Sequence, residues 1–109
     1  MNKAKRESII ALLTKLGYEV DESLYSNRLS HYYSVKKDGL EIRMLLNNAI
    51  VHFYILENGS GKQVCAYGLV LASGSNIADG KQHESYKTLV DLTWEIRDLL
   101  NIQVPTIIL

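Results

Sequence analysis

The residues in this 109-residue chain that could perform chemistry are its single cysteine, Cys65, and the histidine His52. A cysteine nucleophile needs a base within hydrogen-bond reach and a third group that orients the base, a role open to Glu41 or Tyr67. The strand pairing predicted below places these side chains on one sheet face. Because no oxyanion donors are evident and a mid-strand cysteine is more often a small buried hydrophobic residue, a cysteine- and histidine-dependent hydrolase or transferase is the least favoured hypothesis.

Metal and cofactor sites are not predicted. The histidines His31, His52 and His83 fall in separate parts of the expected fold, and the chain has no Cys-x-x-Cys pair. The glycine- and serine-rich stretch at 73–81 lacks the Walker lysine pattern and the Rossmann glycine spacing. We therefore expect a non-enzymatic protein with no cofactor, no metal ligand and no catalytic residue.

Four antiparallel strands between residues 31 and 71 are predicted to position these groups. The dipeptide Asp38-Gly39 is a strong signal for a two-residue hairpin turn, residues 47–48 read as a second such turn, and residues 58–61 read as a third loop. Alternation of side chains along the paired strands then gives an apolar inner face. That face is predicted to consist of Tyr33, Val35, Ile42, Met44, Leu46, Val51, Phe53, Ile55, Val64, Ala66 and Val70.

The opposite, outer face of this sheet is the predicted binding surface. It carries more aliphatic and aromatic residues than a solvated face normally does, and large exposed apolar patches usually mark interaction sites. Tyrosine and arginine beside aliphatic residues are typical of binding hot spots. The residues expected to contact a protein partner are Tyr32, Arg43, His52, Tyr54, Tyr67 and Leu69.

Two helices are expected to cover the inner face. Asn2 can cap the first helix, whose apolar residues recur at helical spacing, and Gly17 can end it. The second helix is predicted over residues 81–100, opened by a capping box of Asp79 and Gln82.

The remaining segments are assigned by composition. Residues 20–30 are predicted to form an irregular connection and residues 73–81 a loop. The apolar tail at 102–109 is predicted to form a fifth, edge strand, with exchange between protomers as the alternative. The expected fold is one α+β domain over residues 1–109, with two layers: an antiparallel four-stranded meander and both helices on one of its faces.

Composition limits the kind of partner. Twelve basic and twelve acidic residues leave no net charge, so no strong general attraction to nucleic acid or a membrane surface is expected. Single-stranded nucleic acid remains an alternative partner, because bases stack on aromatic residues of an open sheet. With no transmembrane-length apolar run, no recognisable signal peptide and one cysteine, a cytoplasmic location is expected.

These observations together favour a small intracellular protein-binding module of the adaptor or inhibitor type. Self-association is expected as well, since twofold dimers are the commonest assembly. The order helix, four-stranded meander, helix recurs in unrelated small proteins, so the fold alone does not fix the function.

Overall fold

A computed structural model describes residues 1–106, apart from the side chains of residues 23–25. Each strand pairs antiparallel with the next one along the chain, so the sheet is a six-stranded meander in the order β1 to β6. The predicted α+β class with both helices on one sheet face is confirmed, with two more strands than predicted. The elements in chain order are α1 (Lys3–Lys15), β1 (Glu19–Ser26), β2 (His31–Lys37), β3 (Leu40–Leu46), β4 (Ile50–Leu56), β5 (Gln63–Val70), β6 (Asn76–Asp79) and α2 (Tyr86–Leu100).

Helix α1 begins and ends where its capping signals predict. The Asn2 side chain accepts a hydrogen bond from the backbone N–H of Lys5 at 2.8 Å. Gly17 follows the helix with a φ of 95°, and the N–H of Tyr18 donates to the carbonyl of Leu13 at 3.0 Å. This pattern closes the helix because it satisfies carbonyls that the last turn would leave without a partner.

Helix α2 begins at Tyr86, five residues later than predicted. The expected capping box is wrong because Asp79 is the last residue of β6, where its carboxylate accepts a hydrogen bond from the Gln63 amide at 3.2 Å. Residues 81–85 form turns, and Ser85 occupies the N-cap position without a side-chain capping bond. The helix packs on the sheet through the buried residues Leu89, Leu92, Thr93, Ile96 and Arg97.

Both edge strands lie in segments that the sequence pattern assigned to irregular structure. The prediction for residues 20–30 is wrong: β1 pairs with β2, but its register shifts between Asp21 and Tyr25, which interrupts the alternation of side chains. The loop predicted at 73–81 contains β6, whose residues are all exposed, so its backbone pairing with β5 leaves no apolar pattern. The tail forms no strand over residues 102–106, and its remainder lies outside the described residues.

In the β2–β3 and β3–β4 hairpins the side chains lie on the predicted faces. Strands β2 and β3 pair in the predicted register across the Asp38-Gly39 turn. In the next hairpin Leu46, not Met44, lies opposite Val51, because the side chain of Asn47 accepts the N–H groups of residues 49 and 50 and makes the loop two residues longer. A shift of two residues preserves the faces of both strands.

A β-bulge at Val64 changes the sheet face to which most side chains of β5 point. Leu56 pairs with Gln63 but Ile55 pairs with Cys65, so Val64 is an extra residue on β5. Phe53 therefore lies opposite Tyr67, one residue away from the register that strands without a bulge would have.

Because successive side chains point to opposite faces, the one-residue shift changes the face of every later residue of β5. Cys65, Tyr67 and Leu69 join the inner face, whereas Ala66 and Val70 join the outer face. The expectation that Tyr67 and Leu69 lie on the outer face is therefore wrong.

Candidate protein-interaction face

The outer face is the side of the sheet that α1 and α2 leave uncovered, since both helices contribute their buried residues to the core on the other side. Strand pairing assigns residues to this face row by row across β2 to β6. Its members are Tyr32, Ser34, Lys36, Glu41, Arg43, Leu45, Ile50, His52, Tyr54, Ala66, Gly68, Val70, Ile77 and Asp79.

Four of the six predicted contact residues lie together on the outer face. Arg43 is directly opposite Tyr54, and His52 is in the neighbouring row opposite Leu45. Tyr32 continues the His52 row onto β2. These four side chains are each partly exposed, so a partner can reach all of them.

The other two predicted contact residues belong to the inner layer. Leu69 is 0% exposed and is part of the hydrophobic core. The Tyr67 ring packs edge-on against the ring of Tyr86 in α2, with centroids 5.6 Å apart. Neither side chain is available to a partner on the outer face.

A ridge runs along the middle of the outer face. The ridge consists of the half-buried side chains Ile50, His52 and Tyr54 on β4, with the His52 and Tyr54 rings 5.6 Å apart. The neighbouring residues on β5 are the small, buried Ala66 and Gly68.

Gly68 makes room for the His52 ring. A Cβ atom at position 68 would lie 3.0 Å from His52 Nδ1 and 3.1 Å from the carbonyl oxygen of Val51. Any other residue would therefore push the ring off the sheet, which gives this glycine a packing reason for being there.

The bulge also gives the outer face apolar residues that sequence reasoning missed. Val70 pairs with Ile50, and Ile77 on β6 pairs with Gly68 and is 42% exposed. The apolar surface therefore extends from β3 to the β6 edge. The sequence held no readable signal for this extension, because both alternating sets of β5 residues are apolar.

Charged residues of both signs surround the apolar part of the face. Arg43 lies 3.3 Å from the Glu41 carboxylate, which also accepts a hydrogen bond from Ser34 at 3.2 Å. Burial raises the pKa of Tyr54, with a further rise from Tyr32 and an opposing effect from Arg43. The tyrosine is thus a neutral, amphipathic group at physiological pH.

The environment of His52 disfavours its charged form. Burial lowers the pKa of its imidazole, and a hydrogen bond with the Gln63 side chain opposes this shift. Its Nδ1 atom is buried and has no hydrogen-bond partner among residues 1–106. Such a nitrogen fits a neutral ring, in which one nitrogen carries no proton.

The proposed cysteine and histidine site is not formed. Cys65 is fully buried on the inner face, whereas His52 lies on the outer face, so the sheet separates them. Burial raises the pKa of the Cys65 thiol, and the nearby Asp79 carboxylate raises it further. A protonated, buried thiol is a poor nucleophile.

A cavity of about 720 Å³ lies at one end of the sheet, between the β2–β3 turn and the loop after β4. Its acidic, basic and histidine side chains already have partners within the chain. Glu41 pairs with Arg43, Glu57 accepts a hydrogen bond from Ser60, and His83 accepts one from the N–H of Ser85. The cavity therefore offers a ligand no charged group that lacks a partner.

Within residues 1–106 no group of three or more His, Cys, Asp and Glu residues is placed to hold a metal ion. In the same part of the chain, no helix combines the length and the apolar character needed to cross a membrane. Comparison of the chain with protein-family models, with curated proteins and with solved structures found no match.

Proposed function

We propose that this protein is a non-enzymatic protein-binding module whose outer face binds a second copy of the same chain. The observation that carries the proposal is the apolar ridge on β4 together with the accessible residues Val70 and Ile77, on a face that neither helix covers. An exposed apolar surface of this kind is typical of interaction sites.

The outer face suits a second copy because partly exposed apolar residues lie on β4 and on β5. A two-fold axis parallel to the strands, between β4 and β5, exchanges the positions of these two strands in the second copy. The Ile50 side chain of each copy then lies over Val70 of the other, because these two residues are paired across β4 and β5. Such an interface uses the same patch on both copies, as twofold dimers do.

The outer face is also large enough for a stable dimer. The five strands β2 to β6, spaced about 4.8 Å apart and about 24 Å long for the seven residues of β4, give a flat area of at most about 600 Å². Side-chain relief increases this area toward the roughly 800 Å² that each partner buries in a standard interface. Sheets packed face to face in this way form a layered apolar interface.

Charge disfavours the nucleic-acid alternative. Glu41 and Asp79 lie on the outer face with Lys36 and Arg43, and Arg43 is already paired with Glu41. A nucleic-acid surface needs an excess of basic residues to contact phosphates, which this face lacks. The inward position of Tyr67 also leaves one aromatic ring fewer on the outer face for bases to stack on.

The proposed compartment is the cytoplasm. Cys65 is a free, buried thiol. A protein with a free thiol and no disulfide fits a reducing environment.

The test is the molar mass of the chain, measured by sedimentation equilibrium over a range of concentrations at pH 7.5. We expect a dimer, and we expect Tyr54→Glu to raise its dissociation constant by roughly 100-fold, because a charge then replaces a hot-spot side chain in a desolvated interface. The matched control is Leu99→Glu, which introduces the same charge at an exposed apolar residue of α2.

Two results would overturn the proposal. One is a monomer at every concentration. The other is a dimer that Leu99→Glu disrupts and Tyr54→Glu leaves unchanged, since the helical layer would then form the interface.

A further inference from the structure

We infer that His52 makes the self-association depend on pH, because the neutral ring fits the interface and the protonated ring does not. The inference rests on the proposed function, and it adds regulation to the same face. Two observations support it: the His52 ring lies over Gly68, and its buried Nδ1 atom has no hydrogen-bond partner among residues 1–106.

The position of the His52 ring over Gly68 accommodates an unprotonated Nδ1 atom but offers no acceptor for an N–H group there. In a neutral imidazole one nitrogen carries a proton and the other does not, whereas both nitrogens of an imidazolium are donors. Protonation therefore places an N–H group at Nδ1, where none of residues 1–106 accepts a hydrogen bond. A buried donor without a partner is costly, so the protonated ring leaves this position and changes the shape of the ridge.

Around His52, burial outweighs the hydrogen bond with the Gln63 side chain, which favours the charged ring, so the pKa is lowered. On β3 it faces Leu45, with the cation Arg43 one row away, and on β5 it faces Gly68. Tyr54 is its neighbour on β4, and its pKa is raised, so it is uncharged at neutral and acidic pH.

The acidic groups of the outer face are already engaged by other side chains. On β6 the Asp79 carboxylate accepts a hydrogen bond from Gln63, and on β3 Glu41 is paired with Arg43. His52 therefore gains no carboxylate partner when it is protonated.

The dimer strengthens the effect. The proposed axis places the two His52 rings on either side of it, separated by little more than the spacing between strands. Two protonated rings at that distance repel each other, and the covering copy removes solvent that would stabilise their charges.

The direction in which self-association depends on pH follows from the lowered pKa of His52. The ordinary pKa of histidine is 6.5, and burial lowers that of His52. Association, which buries the ring further, is therefore fully present above about pH 6.5 and is lost as the pH falls through the lowered pKa.

The experiment measures the dissociation constant of the full chain at pH 7.5 and pH 5.0 by sedimentation equilibrium, with circular dichroism to show that the fold is intact at both. We expect the constant to rise by roughly 100-fold at pH 5.0, about tenfold for each of the two rings. In His52→Gln the ratio of the two constants should be close to one, whatever its affinity at pH 7.5. The control His31→Gln, which removes a histidine outside the outer face, should keep the wild-type ratio.

The outcomes separate the two claims. A monomer at pH 7.5 overturns the proposed function and this inference together. A dimer whose constant changes less than threefold between the two pH values, or a His52→Gln dimer with the wild-type ratio, overturns the inference alone.

A second readout does not depend on the variant. In wild-type protein, the His52 ring proton shifts seen by nuclear magnetic resonance should titrate with a midpoint below 6.5, together with the change in mass. A midpoint at or above 6.5, or a mass that stays constant through the titration, contradicts the inference.

Discussion

On the inner face of the sheet Phe53 and Leu69 are fully buried beneath two helices, whereas on the outer face their neighbours His52 and Val70 are only partly covered. Phe53 and Leu69 thus belong to the core, and the adjacent residues His52 and Val70 belong to the partly exposed outer face. Alternation along a strand produces both faces, but it does not decide which set of residues goes inward. On β5 the bulge at Val64 makes that choice.

The largest expected effect tests the faces of β5 with two adjacent residues. Leu69→Ala should lower the free energy of unfolding by about 3 kcal/mol, because it leaves a cavity in the core. Val70→Ala should lower it by less than about 1 kcal/mol, because Val70 is partly exposed on the outer face. Urea unfolding monitored by circular dichroism gives both values. A larger loss of stability in Val70→Ala than in Leu69→Ala would indicate that β5 has the register expected without a bulge.

The second-largest expected loss of stability tests whether Gly80 holds the bulge at Val64 in place. A Cβ atom at Gly80 would lie 2.1 Å from the carbonyl oxygen of Val64 and 2.9 Å from the Cα of Cys65. Gly80→Ala should therefore displace the bulged backbone. The control is Gly59→Ala, since Gly59 also has a positive φ but has open space around its Cβ position.

Both alanine variants suffer the strain of a left-handed backbone, about 1 kcal/mol. Gly80→Ala should lose a further 2 kcal/mol or so from the steric clash. Thermal or urea unfolding of the two variants measures the difference. Equal losses in stability would mean that Gly80 does not hold the bulge in place.

The smallest expected effect is the pH dependence of stability due to His52. Its pKa in the folded protein is lowered, so between that value and 6.5 the unfolded chain binds more protons than the folded one. Wild-type stability should therefore fall more than that of His52→Gln as the pH decreases from 7.5 to 5.5. Urea unfolding at the two pH values measures this, and an identical fall in both proteins would show that burial does not penalise the charged ring.

Local signals that lie within one short segment were read correctly from the sequence. Asp38-Gly39 set the register of β2 and β3, and Asn2 capped α1. The apolar alternation of β3 and β4 assigned their faces, even though the loop at 47–50 is longer than predicted. In each case a few adjacent residues determine the structure.

The errors arose where a distant segment determines the structure. The bulge at Val64 packs against Gly80, and β6 is a strand because β5 is next to it. Residues 64–70 of β5 are apolar in both alternating sets, so their hydropathy could not reveal the shift. Two of the six predicted contact residues, Tyr67 and Leu69, were consequently placed on the wrong face.

The most direct test of the proposed interface is an isotope-filtered nuclear Overhauser experiment on a mixture of labelled and unlabelled chains at pH 7.5. Such a spectrum records only contacts between different copies. The proposed packing predicts cross-peaks from the Ile50 side chain of one copy to the Val70 methyl groups of the other. A dimer whose intermolecular cross-peaks come from α1 or α2 instead would contradict it.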